Sequence, residues 1–288
     1  MPSLRRHAYL GRGSSSGAYR LTALAGFALT IGALLFADAN ASPAQPEPYA
    51  VTAPADPTVG ALFSDGITSP HECTASVLSN GRGLLLTAAH CLRGTGAGMQ
   101  FVPGYDGTAA DPMPFGVWTV TRVWVPPGWL RGQEPADDLA VLQVEERQVG
   151  GRLQSIDQVT GGNVVSVLGR TLEPIVGRLR GPVSVTAYNA GAGDAPLSCT
   201  TGGVDESTPN SFRCGGYSGG TSGAPWLQQS TLMGQRTVVG IIGGRNQGGC
   251  TEWVSYSPEL DGAMYGLLLR AAFELTGDDV PAADGDGC

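Results

Sequence analysis

From Val59 onward the chain alternates short apolar runs with Gly, Pro, Asn and Asp. The runs are "CTASVL" (73–78), "GLLLTAA" (83–89), "VWTVTRVWV" (117–125), "LAVLQV" (139–144), "NVVSVLG" (163–169), "VSVTAY" (183–188) and "TVVGIIGG" (237–244). Each has strand length, is rich in Val, Leu and Thr, and is bounded by turn signals. The 44 glycines and 20 prolines fit that many turns. Only one stretch has sustained helical spacing. Met264, Leu267, Leu268, Ala271 and Leu275 recur on one face up to Gly277. Ser257 as N-cap, Pro258 in the first turn, and Glu259 and Asp261 behind it predict a helix over about 258–275. An all-β chain of this size predicts a sandwich or two packed barrels. No internal repeat is visible.

The ends read differently. Arg5, Arg6, Arg12 and Arg20 precede the apolar run Leu21–Phe36, and Ala39-Asn40-Ala41 offers small residues for cleavage. The run is short for a membrane span, so residues 1–41 read as an export signal and the mature protein as secreted. Arg5-Arg6 hints at twin-arginine export, although the residues after it fit poorly. Residues 42–57, rich in Pro and Ala, read as a linker, and 276–288 as an acidic, mobile tail held at most by Cys288. Removing residues 1–41 leaves 13 arginines against 24 acids, a formal charge of −11. That balance argues against nucleic acid or an anionic membrane as partner.

Composition also removes chemistries. The chain has no lysine, so a phosphate loop ending in Lys-Ser/Thr, a Schiff base and a Ser-Lys dyad are excluded. Six cysteines in an exported chain point to disulfides. His71, Cys73, His90 and Cys91 match no zinc-finger spacing, and neither metal nor cofactor is implied. Two serines have Gly-x-Ser-Gly settings, Ser218 in "GYSGG" and Ser222 in "GTSGAP". A serine nucleophile needs a histidine base and an orienting carboxylate. Of three histidines, His7 lies in the leader, and His71 and His90 both precede the serines. An α/β-hydrolase has its histidine after the serine, so only the order His, Asp, Ser remains.

"LLLTAAHC" around His90, "CTASVL" upstream, "DDLAVLQV" from Asp137 and "GTSGAPWL" around Ser222 together resemble the trypsin/chymotrypsin-like serine peptidases, most closely secreted bacterial members. The resemblance covers about Val59 to Leu275. It implies two packed antiparallel six-stranded β-barrels, about 58–148 and 158–257, followed by the helix. It also implies a general base at His90, an orienting acid at Asp138 rather than Asp137, and a nucleophile at Ser222 rather than Ser218. The backbone N–H groups of Gly220 and Ser222 would form the oxyanion hole. Gly216 would lie at the base of the substrate pocket, with Gly243, Gly244 and Arg245 along its flank, where the family pairs with substrate backbone. His71 has no family role and is expected at the surface or a strand edge.

Three departures qualify the resemblance. Thr221 stands where many members carry the acid that binds a freed N-terminus, so activation by N-terminal insertion is not implied. Gly243 replaces a serine near the orienting acid. Gly216 replaces the aspartate that gives trypsin its preference for basic side chains. For the cysteines, Cys73–Cys91 matches a family bridge. Cys199–Cys214 would leave Cys250–Cys288, whereas the alternative Cys214–Cys250 would leave Cys288 free. The expected protein is a monomeric secreted serine endopeptidase acting on protein or peptide substrates. A catalytically silent homologue acting as a binding protein, or a secreted esterase, would use the same residues.

Overall fold

The computed structural model describes residues 47–165, 181–191, 193–205, 210–229, 235–260, 262–285 and 287–288. The expected leader, residues 1–41, lies outside them. The strands are β1 (Val51–Thr52), β2 (Val59–Phe63), β3 (Cys73–Val77), β4 (Leu84–Thr87), β5 (Gln100–Pro103), β6 (Trp118–Trp124), β7 (Ala140–Val144), β8 (Arg147–Val149) and β9 (Arg152–Gln154). They continue as β10 (Val164–Val165), β11 (Val183–Ala187), β12 (Leu197–Thr201), β13 (Asn210–Arg213), β14 (Pro225–Gln229), β15 (Arg236–Ile241) and β16 (Val254–Ser257). Three α-helices, α1 (Pro127–Gly132), α2 (Ile156–Thr160) and α3 (Gly262–Ala272), and the short 3-10 turns Ala89–Cys91, Pro135–Asp137 and Arg245–Gly248 complete the described elements.

The first half closes into a six-stranded barrel in the order β2-β3-β4-β7-β6-β5, with β5 returning to β2. Every residue of β2, β3 and β4 is buried, so one face fills the barrel and the other is covered by neighbouring chain. That explains the unbroken "GALF" and "LLLT", where a one-sided sheet would alternate. Phe101, Trp118 and Trp124 supply the largest buried side chains of this half, each contributing on the order of 2–3 kcal/mol by leaving water. The second half is a six-stranded sheet, β1-β12-β11-β14-β15-β10, with the ribbon β13–β16. Its contact between β10 and β15 is parallel, against the antiparallel expectation. Residues 166–180 of this half lie outside the described residues.

The two ends depart from expectation. Part of the supposed linker is a strand. Val51 and Thr52 pair with Ser198 and Leu197, and the Gly215 N–H donates to the Pro48 carbonyl at 2.9 Å. Farther along, the Asp56 carboxylate pairs with the Arg236 guanidinium, which also donates to Thr58 Oγ1 at 2.6 Å. Proline-rich composition signalled an extended chain, which an edge strand also is. The helix is shorter than predicted, because the Ser257 hydroxyl is spent elsewhere. It accepts the Ile241 N–H at 3.0 Å and donates to the Pro258 carbonyl at 2.7 Å. The C-terminal tail, expected to be mobile, is packed at several of its described residues. Asp278 pairs with Arg270 at 2.7 Å, and Val280 exchanges backbone hydrogen bonds with Gly94 at 2.8 Å.

Burial alone would raise the Asp56 carboxyl, but hydrogen bonds and charge from Arg236, with donors on Thr58, hold it below the ordinary carboxylate range. A depressed carboxylate stabilises the fold above its unfolded pKa, and that contribution disappears as pH falls through the folded value. Asp56→Ala should therefore cost about 2 kcal/mol near neutral pH, allowing for partial solvent screening. Denaturant titrations should show a shallower acid limb in the variant below about pH 4. Parallel acid limbs would refute this role.

Candidate active site

β-Ladder register brings the candidate residues to one edge. Thr87, the last residue of β4, pairs with Ala140, the first of β7. His90 lies three residues beyond Thr87 and Asp138 two before Ala140, so both leave the same end of the barrel. His90 sits in a short 3-10 turn, Ala89–Cys91, and Asp138 follows another, Pro135–Asp137. In the second half Pro225 pairs with Ile241. Ser222 and Gly243 lie just outside that pair, again at one end.

Asp138 is fully buried, and both of its carboxylate oxygens accept hydrogen bonds. Its Oδ1 accepts the backbone N–H of His90 at 2.9 Å. Its Oδ2 accepts from His90 Nδ1 at 2.8 Å and from the Gly244 N–H at 2.7 Å. Such charge-assisted bonds offset the cost of burying a carboxylate. An acceptor-only carboxylate fixes the proton on Nδ1 of a neutral ring, leaving Nε2 as the acceptor nitrogen. The missing serine at Gly243 is thus replaced by a backbone donor one residue later. A Cβ at Gly243 would stand 3.3 Å from Asp138 Oδ2 and 3.1 Å from its carbonyl oxygen, leaving little space for a side chain.

His90 and Ser222 border one cleft of about 740 Å³. No hydrogen bond joins Ser222 Oγ to His90 Nε2 among the described residues, and catalytic contacts commonly tighten only with substrate bound. Thr74, on β3, ties the serine loop to the barrel. Its N–H donates to the Ser222 carbonyl at 2.8 Å, and its hydroxyl donates to the Gly220 carbonyl at 3.0 Å. The same hydroxyl accepts the Tyr188 N–H at 3.2 Å. Gly220 has φ +94°, and a Cβ there would stand 2.2 Å from the Ala190 nitrogen, so only glycine fits. The N–H groups of Gly220 and Ser222 have no acceptor among the described residues. Both N–H groups are therefore unspent donors within two residues along the chain, the kind of group that can receive a developing negative charge.

The other expected residues separate into groups. Ser218 is exposed on the cleft wall, its N–H held by Asn189 Oδ1 at 3.1 Å. Thr221 is buried, with its hydroxyl spent on the Ser218 carbonyl at 2.8 Å. Tyr217, Ile242 and Glu252 line the cleft, whereas Gly216, Gly243 and Gly244 are not among its lining residues. Arg245 is exposed, with its guanidinium 5.4 Å from the Tyr256 ring centre rather than in the cleft. Asp137 is partly exposed. His71 is buried, not superficial. Its Nε2 meets Asp194 Oδ1 at 2.8 Å among the rings of Phe63, Tyr105 and Tyr188.

The disulfides are Cys73–Cys91, Cys199–Cys214 and Cys250–Cys288. Bridge formation consumes the sulfur atoms near His90 that a metal would need as thiolates. Several supporting groups had no sequence signal, among them Thr74, Asn189 and the Gly244 N–H. Each acts through backbone geometry or a contact distant in sequence.

The fold is similar to several solved structures. A protease, Anisep, from Arthrobacter nicotinovorans is 21% identical with TM-score 0.59, covering 77% of this chain and 98% of its own. The thermostable serine protease AL20 from an extremophilic microorganism is 22% identical with TM-score 0.56, covering 76% and 98%. A Glu endopeptidase solved with MPD is 15% identical with TM-score 0.56, covering 78% and 97%. At these identities the likeness concerns the fold. A search of curated protein sequences finds no match. The family description "Trypsin" matches residues 51–256, most of the chain. With that match spanning both β-halves and the cleft between them, the chain belongs to the trypsin family of serine proteases.

Proposed function

We propose that this chain is an exported serine endopeptidase that cleaves peptide bonds through an acyl-enzyme. The observation that carries the reading is the buried Asp138 carboxylate, which holds His90 by its ring and its backbone together at the cleft shared with Ser222. Ser222 Oγ attacks the substrate carbonyl while His90 Nε2 takes its proton. The Gly220 and Ser222 N–H groups receive the developing oxyanion. His90 then protonates the leaving amine, and later activates the water that releases the acid. Three disulfides and the leader-like N-terminus support export.

Ser222→Ala should abolish peptide hydrolysis with the fold intact, and Ser218→Ala should keep most of it. Turnover of peptide and ester substrates by the purified protein checks this. Ester turnover without peptide turnover would favour an esterase, and neither would favour a silent binding protein. The reverse pattern in the two serine variants would overturn the assignment of the nucleophile.

Thr74→Val removes a hydroxyl that serves both the Gly220 carbonyl and the Tyr188 N–H. Leaving these buried groups unpaired and the loop less fixed costs roughly 1–3 kcal/mol. Steady-state kinetics should show kcat reduced about tenfold or more with KM little changed, because the oxyanion donors act only in the transition state. An unchanged kcat would mean that Thr74 does not position the loop.

Side-chain preference follows from the pocket. Gly216, expected at its base, carries no carboxylate and does not line the cleft, and Glu252 is exposed with its Oε2 accepting the Tyr49 hydroxyl at 3.0 Å. Arg245 lies over Tyr256 rather than in the cleft, so it offers no counter-charge to an acidic side chain. A peptide-library profile should therefore be led by apolar residues before the scissile bond, with weak cleavage after Arg and Lys. A profile dominated by Arg or Lys would instead give Glu252 the role of counter-charge.

A further inference from the structure

The C-terminal segment crosses the face of the molecule beside the cleft. It starts at the loop after His90, where Gly94 and Val280 exchange N–H···O bonds, both 2.8 Å. Gln133, just after α1, then clamps it with both ends of one amide. Its Nε2 donates to the Ala282 carbonyl at 2.9 Å, and its Oε1 accepts the Asp284 N–H at 2.9 Å. From the second half, Gln247 Nε2 donates to the Gly285 carbonyl at 3.2 Å, and Cys250 bonds covalently to Cys288. Both clamping glutamines have positive φ, +50° and +48°, a backbone state that few non-glycine residues adopt. Ala282, Ala283 and Cys288 line the same cleft as His90 and Ser222. The segment is therefore a strap bridging the two halves, and also part of the cleft wall.

Its position defines which part of a substrate it meets. The Gly243 carbonyl and the Arg245 N–H have no partner among the described residues. They form a short open edge beside Ser222 where an extended peptide can add as a strand. In the proposed reaction the residues on the acyl side of the scissile bond run along this edge. Its next residue, Asn246, is where the strap closes in. A Cβ at Gly287 would stand 2.7 Å from the Asn246 carbonyl carbon.

We infer that the strap formed by residues 280–285 with Gly287 and Cys288 is a specificity element that limits how many residues on the acyl side of the scissile bond the cleft accepts. The inference rests on the reading of the chain as a peptidase. Its substrates would be short peptides, chain termini or loops exposed near an N-terminus, rather than long extended segments. The bridge Cys250–Cys288 joins two exposed residues and locks the strap.

The test is a ladder of peptides sharing one cleavable bond and growing only on the acyl side. Three proteins are compared: the intact chain, Cys250→Ser/Cys288→Ser at full length, and a chain ending at Pro281 that also carries Cys250→Ser. The last retains the Asp278–Arg270 pair and the Val280 bridge, and circular dichroism reports its fold. For the intact protein kcat/KM should stop rising once the peptide reaches the strap. In the shortened protein the ratio of long-peptide to short-peptide kcat/KM should rise about tenfold, with the double serine variant intermediate. An identical length profile in all three overturns the inference while leaving the peptidase reading intact. Absence of turnover in every protein overturns the peptidase reading instead. Calorimetric affinities for the same ladder then decide about the strap: about tenfold tighter binding of long peptides without it supports the inference, and equal affinities overturn it.

Discussion

Everything at the cleft depends on one buried anion. The Asp138 carboxylate lies out of contact with water, so hydrogen bonds must take the place of its hydration. It collects them from the His90 ring, the His90 backbone and the Gly244 backbone. The first two fix the histidine in position and tautomer. The third comes from the other half of the chain, so the requirement for a satisfied charge also aligns the two halves. Gly243 has close contacts that leave little space for a side chain beside that carboxylate, and the Gly244 N–H supplies the third donor.

Ladder register delivers the groups to that anion. Thr87 opposite Ala140 sends His90 and Asp138 out of the same barrel end. Pro225 opposite Ile241 does so for Ser222 and Gly243. A shift of one residue in either ladder would turn these side chains to the wrong face. Thr74 couples the two registers, with its N–H on the Ser222 carbonyl and its hydroxyl on the Gly220 carbonyl. The bridge Cys73–Cys91 begins one residue before Thr74 and ends one after His90, so it braces both the base and the support of the oxyanion loop.

The barrel strands, the pairing of His90 with Asp138, the shared cleft of His90 and Ser222, and the first disulfide were legible in the sequence. Each rests on local motifs whose chemistry depends on neighbouring residues. What escaped was set by distant contacts. "SPAQPEPYAVTAPADP" has the composition of a linker, yet Val51–Thr52 is an edge strand because Leu197 and Ser198 offer an open ladder. Ser257 looked like a helix cap, but the Ile241 N–H claims it. His71 had no motif of its own and became buried through three aromatic rings and Asp194. The tail looked mobile from its acids and glycines. Its anchors, Gly94, Gln133 and Gln247, lie in three separate loops, and only Cys288 announced that it was tied down. Arg245 was expected near the pocket rim, but the Tyr256 ring offers its guanidinium a stacking partner away from the cleft.

The central claim is that Asp138 and His90 make one particular serine hydroxyl nucleophilic. It is tested most directly by treating the folded protein with an active-site-directed phosphonate and locating the adduct by peptide mass mapping. A single adduct on Ser222 is expected in the wild type, with strongly slowed labelling of Asp138→Asn, where the carboxylate that fixes the His90 tautomer is gone. An adduct on Ser218, or equal labelling rates for the two proteins, would contradict it.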